Sequence, residues 1–509
     1  MSVCSDQPRV TVPAEELLSK AESLRAETDG FRLMDWFAWR GPDSRSEVIL
    51  QLRSAGGRRL QVMVTDVDDI PSLASIWPAV LWPQREAVER LGLRVTTGLP
   101  TAQLPTPLWT AAVRAVHDEE EGADDGEEAD EFLTLGDPGI VTHCRLDLQV
   151  QLRRRIIAVA RAIPGKTHSG FETLATRQGF AQLAPLAEGL NEQAPYAVGL
   201  AAILATEELL EVTPPPQITR LRMLLAEISR IGAHCAWLSV QSAEDEGLAG
   251  EALAARESVA RLLAEMTGSR WATGVHRVGA IAAALTGHSH AMVAELTGAV
   301  NALCRSARNS MIDNSGWRRR YAGIAAVDPK TAVDWGLSGP VLRAAGVAHD
   351  VRRDTAYLDY AGVDFDVATG HDGDVADRVS VRLQEMDSSL SICGQCLDGL
   401  AVGEPRQEKE QADPALPGTA ELIRHFKTWM DGHGHRAPRT SVYCPTESAD
   451  GELAFWLAGD GTGKPAAVHL RSPSLFNFQL LEHLLPGIDF SQARGVVASM
   501  NIVAVEMDR

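Results

Sequence analysis

Long hydrophobic runs are missing from this chain of 509 residues. Its longest largely apolar stretch, Ala194–Ala205, falls short of the roughly 18 residues that a membrane-crossing helix needs. The opening Met1-Ser2-Val3-Cys4 lacks the basic and apolar regions of a signal peptide, so the chain is expected in the cytosol, on or off the membrane surface. Cysteine is sparse. Seven are scattered over positions 4, 144, 235, 304, 393, 396 and 444, an odd number that argues against a disulfide framework. Basic charge is also short, with 48 Lys and Arg against 68 Asp and Glu and a net charge of −20. A nucleic-acid partner needs basic surface to meet phosphate, so that class is set aside.

What is present is the composition of a globular protein, 45% hydrophobic and 23% charged, long enough to bury at least two cores. The acidity is uneven. The run Asp118–Glu131 holds ten carboxylates and no base; like charge at that density repels itself and reads as a linker. Before it, a helix is expected over Ala14–Glu27. Ser46–Leu52 and Arg59–Val64 alternate as paired strands about the turn Ala55-Gly56-Gly57. A short helix carries Trp82-Pro83-Gln84-Arg85-Glu86 and exits at Leu91-Gly92-Leu93.

After the linker, Leu146–Leu152 and Arg155–Ala162 read as strands, and long helical patterns follow over Gln217–Leu238, Leu248–Thr267, His288–Met311 and Val379–Leu400. Glu452–Ala458 and Ala466–Arg471 form a terminal hairpin. Its Gly463-Lys464 is not a phosphate loop, since Pro465 follows in place of Ser or Thr. In Gln217–Leu238 the residues Ile218, Leu221, Leu224, Leu225, Ile228, Ile231 and Cys235 make one apolar face. His234 sits at its flank, on the side of Glu227 and Arg230. A lone histidine there is ordinarily a satisfied core or boundary residue.

The segments His168–Leu210 and Arg222–Leu238, the run Gly373-Asp374-Val375-Ala376-Asp377-Arg378 and the finish Ser499–Arg509 resemble the D-type subunit of the NADH–quinone oxidoreductases (complex I). That subunit is related to the large subunit of nickel–iron hydrogenases. The strands and Trp-x-x-Arg-Glu helix before the linker resemble the C-type subunit, so the whole looks like a C–D fusion, as known in some bacteria. The resemblance implies an α+β fold. Residues 1–30 would be an N-terminal segment, 31–108 a small α+β domain, 109–131 a linker, and 132–509 a larger, mainly helical domain with small flanking sheets. It implies that His234 lies against the terminal iron–sulfur cluster of a small partner subunit, with His168 also beside the cofactor. Arg85 and Glu86 would form interfacial ion pairs, and Asp374 would cap a helix.

The resemblance also implies a quinone pocket at Gly139, His143 and Leu186, and here the sequence departs from the family. Gly139 stands where a quinone-bonding histidine is usual, and Leu186 where its partner tyrosine is usual. Neither donates a proton or polarises a carbonyl. Ser169 replaces an arginine, and Asn501 an aspartate. Nickel–iron chemistry needs two Cys-x-x-Cys pairs. They would fall near Asn191–Ala194 and Ser499–Glu506, where there is no cysteine, while the lone Cys393-Gly394-Gln395-Cys396 cannot close a four-thiolate site. The chain is therefore expected to bind no metal and no cofactor alone. It would act in a hetero-oligomer with a small iron–sulfur subunit and membrane-arm subunits, at the cytoplasmic side of the membrane, walling a quinone cavity. Two alternatives stay open: a scaffold that has lost quinone chemistry, or a hydrogenase- or formate-linked branch using another acceptor.

Overall fold

In the computed structural model the described residues are 7–41, 45–96, 132–134, 146–355, 357–403 and 435–509, with 419, 422, 423 and 426. Gly139, His143 and the acidic run lie outside them.

The first unit is a four-stranded sheet with the order β1-β4-β3-β2, built from β1 (Arg9–Thr11), β2 (Phe31–Arg40), β3 (Ser46–Ser54) and β4 (Arg59–Thr65). β1 runs parallel to β4, so residues ahead of position 30 belong to the sheet. The other pairs are antiparallel, with Leu50 opposite Trp36 and Val62. Alternating Val48, Leu50 and Leu52 point to one face and bury there. Helix α1 (Leu17–Ala26) supplies Leu17, Ala21 and Leu24 to the same core. Strands β5 (Asp69–Pro71) and β6 (Arg94–Thr96) flank α2 (Leu81–Leu91). That helix stops at Gly92, whose φ of 72° is cheap only for glycine.

The second unit opens with an antiparallel sheet of β7 (Phe132–Thr134), β8 (Asp147–Arg153) and β9 (Ile156–Ile163). Helices α3 (Phe171–Ala175), α4 (Phe180–Glu188), α5 (Pro195–Leu209), α6 (Pro216–Gln241) and α7 (Glu246–Thr267) follow. A two-stranded ribbon, β10 (His276–Arg277) and β11 (Ala280–Ile281), leads into α8 (Gly287–Ala307). α8 runs into a π-helical turn, Arg308–Ile312, and then α9 (Ser315–Tyr321). Short helical turns between residues 329 and 362 precede α10 (Val375–Asp398), whose N-terminal amide at Asp377 is accepted by the Asp374 carboxylate. The chain finishes in a meander of β12 (Ser441–Glu447), β13 (Glu452–Ala458) and β14 (Ala467–Arg471). Helices α11 (Pro473–Leu484) and α12 (Phe490–Met500) close it. The architecture is α+β, as the sequence implied.

One core lies within the helix bundle, where Leu224, Ile228 and Ile231 of α6 meet Val259 of α7, Val300 of α8 and Leu383 of α10. A second joins the two units: Trp36, Val62 and Trp77 of the first unit share it with Leu148, Ile157, Phe476 and Val497 of the second. The hydrophobic boundary therefore does not follow the boundary of the units.

Candidate functional site

Helix α6 places Glu227, Arg230 and His234 on one side at spacings of three and four, and all three are buried. α10 lies against this side with a polar stripe of its own: Arg378, Arg382, Glu385 and Ser389, also buried. His234 Nε2 lies 3.0 Å from Glu385 Oε2. The other oxygen of Glu385 accepts from Arg343 Nε and an Arg343 terminal nitrogen, at 3.0 and 2.7 Å. Arg343 also donates to Glu447 at 2.8 Å and to the His349 carbonyl at 2.9 Å. On the far side, Glu227 receives Arg352 at 3.1 Å, Ser389 Oγ at 2.6 Å and Tyr360 Oη at 2.5 Å. Arg352 in turn holds Asp350 at 2.7 Å.

Charge decides the protonation states. Burial disfavours the charged form of Glu385, yet the Arg343 guanidinium and the His234 bond outweigh it and hold the carboxyl below its usual range. Burial pushes His234 down, and the Glu385 contact only partly offsets this. The imidazole is then neutral with its proton on Nε2, donated to Glu385. Nδ1 keeps its lone pair, and that atom is buried with no partner in the chain. Glu447 moves upward through burial despite Arg343, because Asp350 stands near. The ring of His234 is fully enclosed; the least covered residues near it are Ala233, Ala194 and Ala449, which cluster together.

The segments where hydrogenase thiolates would stand do meet. Asn191 Nδ2 lies 3.4 Å from Glu506 Oε2, and Ser472 donates to the other oxygen of Glu506 at 2.7 Å. Burial, against those bonds and with help from Asp450, raises Glu506 to about 7. Asn501, held at a φ of 51°, donates to Asp450 at 2.6 Å, and Arg382 reaches the same carboxylate at 3.1 Å. Oxygen and amide groups fill this place. Among the described residues no group of three or more His, Cys, Asp or Glu is arranged to hold a metal ion. Cys393 and Cys396 are buried in α10, their thiols pushed up by burial, that of Cys396 to about 12, so neither is a reactive thiolate.

The other expected site residues fall elsewhere. His168 is exposed, and its Nδ1 meets the Asp508 carbonyl at 2.6 Å. The Asp508 carboxylate accepts from the amides of Gly165 and Thr167, at 2.7 and 2.9 Å. His168 therefore belongs to a clasp on the chain's C-terminal residues, separate from the His234 network. Leu186, on α4, is half-buried against the bundle core. Ser169 is exposed. Arg85 and Glu86 both face the second unit: Glu86 pairs with Arg509 at 3.2 Å as well as with Arg90, and Arg85 lies near Glu482. Glu385, Arg343 and Glu447 were missed by sequence reading. The 4-3-4 spacing of Arg378, Arg382, Glu385 and Ser389 was the available signal, since a polar stripe on a helix otherwise buried must be paired.

Two family descriptions match the chain. Residues 10–104 match the 30 kDa subunit of respiratory-chain NADH dehydrogenase, and residues 249–509 match the 49 kDa subunit. Three curated relatives carry the name of the D-type subunit of NADH-quinone oxidoreductase. The first of two such proteins in Herpetosiphon aurantiacus is 31% identical over 421 residues, covering 81% of this chain and 98% of the relative. A second-copy form from a Roseiflexus species is 32% identical over 394 residues, 75% of this chain and 94% of the relative. The Geotalea uraniireducens protein is 30% identical over 387 residues, 74% and 98%.

Proposed function

This chain belongs to the D-type, 49 kDa subunits of the NADH–quinone oxidoreductases and carries a C-type, 30 kDa unit ahead of the D-type one; on that premise we propose that it walls the electron-acceptor cavity of such a complex. In this reading a small iron–sulfur protein is seated over Ala194, Ala233 and Ala449, where small side chains permit close approach. Membrane-arm subunits meet the assembly at the cytoplasmic face. Among the described residues no helix is long and apolar enough to cross a membrane, so attachment runs through those subunits.

The observation that carries the reading is the division of labour between the nitrogens of His234. Nε2–H is held by an ionised Glu385, while Nδ1 is buried without a partner. A buried, unpaired acceptor costs about 1–3 kcal/mol, which suits a group whose partner arrives with another subunit or another proton. A proton taken up at Nδ1 gives an imidazolium backed by the Glu385 carboxylate, and its charge favours an electron placed nearby. The partner's cluster supplies the one-electron chemistry. Isolation of the chain from membranes in mild detergent tests the assignment. The iron–sulfur and membrane-arm subunits should co-purify, with NADH-driven quinone reduction sensitive to quinone-site inhibitors. Recovery of the chain alone would overturn it.

A scaffold reading has its own support: Leu186 packs into the chain's core, and the His234 ring is enclosed by its own bundle. It predicts an assembled complex without inhibitor-sensitive quinone turnover.

A further inference from the structure

We propose that a cleft at the C-terminal end of α6 receives an extended backbone segment of another subunit of the complex, read by the carboxamide of Gln241. The proposal rests on the chain's place in a multi-subunit enzyme and concerns a surface apart from the acceptor cavity. The cleft has a volume of about 290 Å³ and is walled by the end of α6, the π-helical turn, α9 and α12. π-Turns of this kind concentrate at functional places in helical proteins.

Gln241 lies seven residues beyond His234, on the same side of α6. It is nine-tenths buried and lines the cleft, and neither its Nε2 nor its Oε1 has a partner in the chain. Two unmet amide atoms on one buried side chain are costly, and native interiors rarely leave them so. The polar groups around them are already engaged. Arg320 pairs with Glu244 and donates to the Ser491 carbonyl. Asp245 accepts from the Leu248 amide, Asn314 from the amides of Gly316 and Trp317, and Ser242 donates to the Leu238 carbonyl.

With Arg320 neutralised by Glu244, a phosphate or carboxylate ligand has no free cation there to meet. What the cleft lacks is one acceptor and one donor side by side, which is the edge of a secondary amide. Leu248 and Met311 offer apolar wall for an adjoining side chain, and half-buried Trp317 a ring face. Asn314 and Gly316 at the rim are exposed, leaving a way in and out for a continuous chain. A polypeptide backbone therefore fits better than a small free amide.

The test places a photo-crosslinking amino acid at position 314 in the assembled complex and identifies the products by mass spectrometry. The expected product joins position 314 to a segment of another subunit. Gln241→Leu should lower its yield roughly tenfold or more, as loss of two amide hydrogen bonds implies. Leucine replaces an unpaired polar group with an apolar one, so the chain itself should accumulate normally. Gln241→Glu, of similar size but without the amide donor, should lose the product as well. An assembled complex giving no inter-subunit product, or a yield unchanged in both variants, overturns the proposal. So does release of a small amide-bearing molecule from the denatured complex. A chain that co-purifies with no other subunit overturns the assignment to the complex as well.

Discussion

The pair of Asp35 and His469 ties the first unit to the second, and a double-mutant cycle should measure it. His469 on β14 stacks on Phe37, with ring centroids 4.0 Å apart, and meets Asp35 at 3.2 Å and Glu172 at 3.0 Å. Glu172 is also held by Arg90 and Arg509, whereas the other bond of Asp35 is to the Trp36 amide. At an effective dielectric of about 20, two unit charges at this separation attract by roughly 5 kcal/mol. Desolvation offsets much of that, leaving a net coupling of about 1.5–3 kcal/mol for a hydrogen-bonded buried pair. Burial lowers the affinity of His469 for a proton, but the two carboxylates outweigh it and raise the value above the ordinary one. The contribution is then complete below the unfolded-state value of about 6.5 and is lost as pH climbs through the folded-state value. Urea unfolding of Asp35→Asn, His469→Gln and the double variant, read by tryptophan emission, should give that coupling at pH 6 and less in alkali. A coupling below about 0.5 kcal/mol, the additivity limit for uncoupled sites, or one that grows with pH, would refute the reasoning.

Arg222→Met should cost about 3–5 kcal/mol in denaturant titration, because Glu207, which accepts from Arg222 twice at 2.7 Å, is left buried and charged. Adding Glu207→Gln should recover a large part of it. Gly199→Ala should destabilise by about 1–3 kcal/mol, since a Cβ there would meet Glu188 and His276 at 2.8 Å; thermal melting reads this directly. Glu506→Gln should stabilise the protein at pH 8 and not at pH 4. A carboxyl raised to about 7 when folded adds stability below the unfolded value, and that stability is lost as pH rises toward 7, a difference of up to about 3 kcal/mol. Melting curves at the two pH values check the sign.

The helices were legible because their apolar faces recur at helical spacing. Gln217–Leu238 sits inside Pro216–Gln241, and Leu248–Thr267 inside Glu246–Thr267, ended by Gly268 as expected. The terminal hairpin was legible by alternation, but its third strand, Ser441–Glu447, was not; all but its first residue are buried, so there is no alternation to read. The site was legible in part. Reasoning from cysteine spacing foresaw that residues 191–194 and 499–506 converge, and Asn191 does meet Glu506. The partners of His234 were not legible, because Glu385, Arg343 and Glu447 lie more than a hundred residues away and only packing brings them together. Sequence pattern likewise could not show that the two units share a core, since Trp36 and Phe476 each read only as local apolar positions.

The account stands most directly on the imidazole of His234. Its test is a potentiometric titration of the terminal cluster in the isolated complex, followed by electron paramagnetic resonance between pH 6 and 8, for the natural chain and for His234→Met. One proton taken up per electron gives a midpoint falling by about 59 mV per pH unit in the natural chain. The variant should show a lower midpoint with a flat profile. The same slope and midpoint in both proteins would contradict the account.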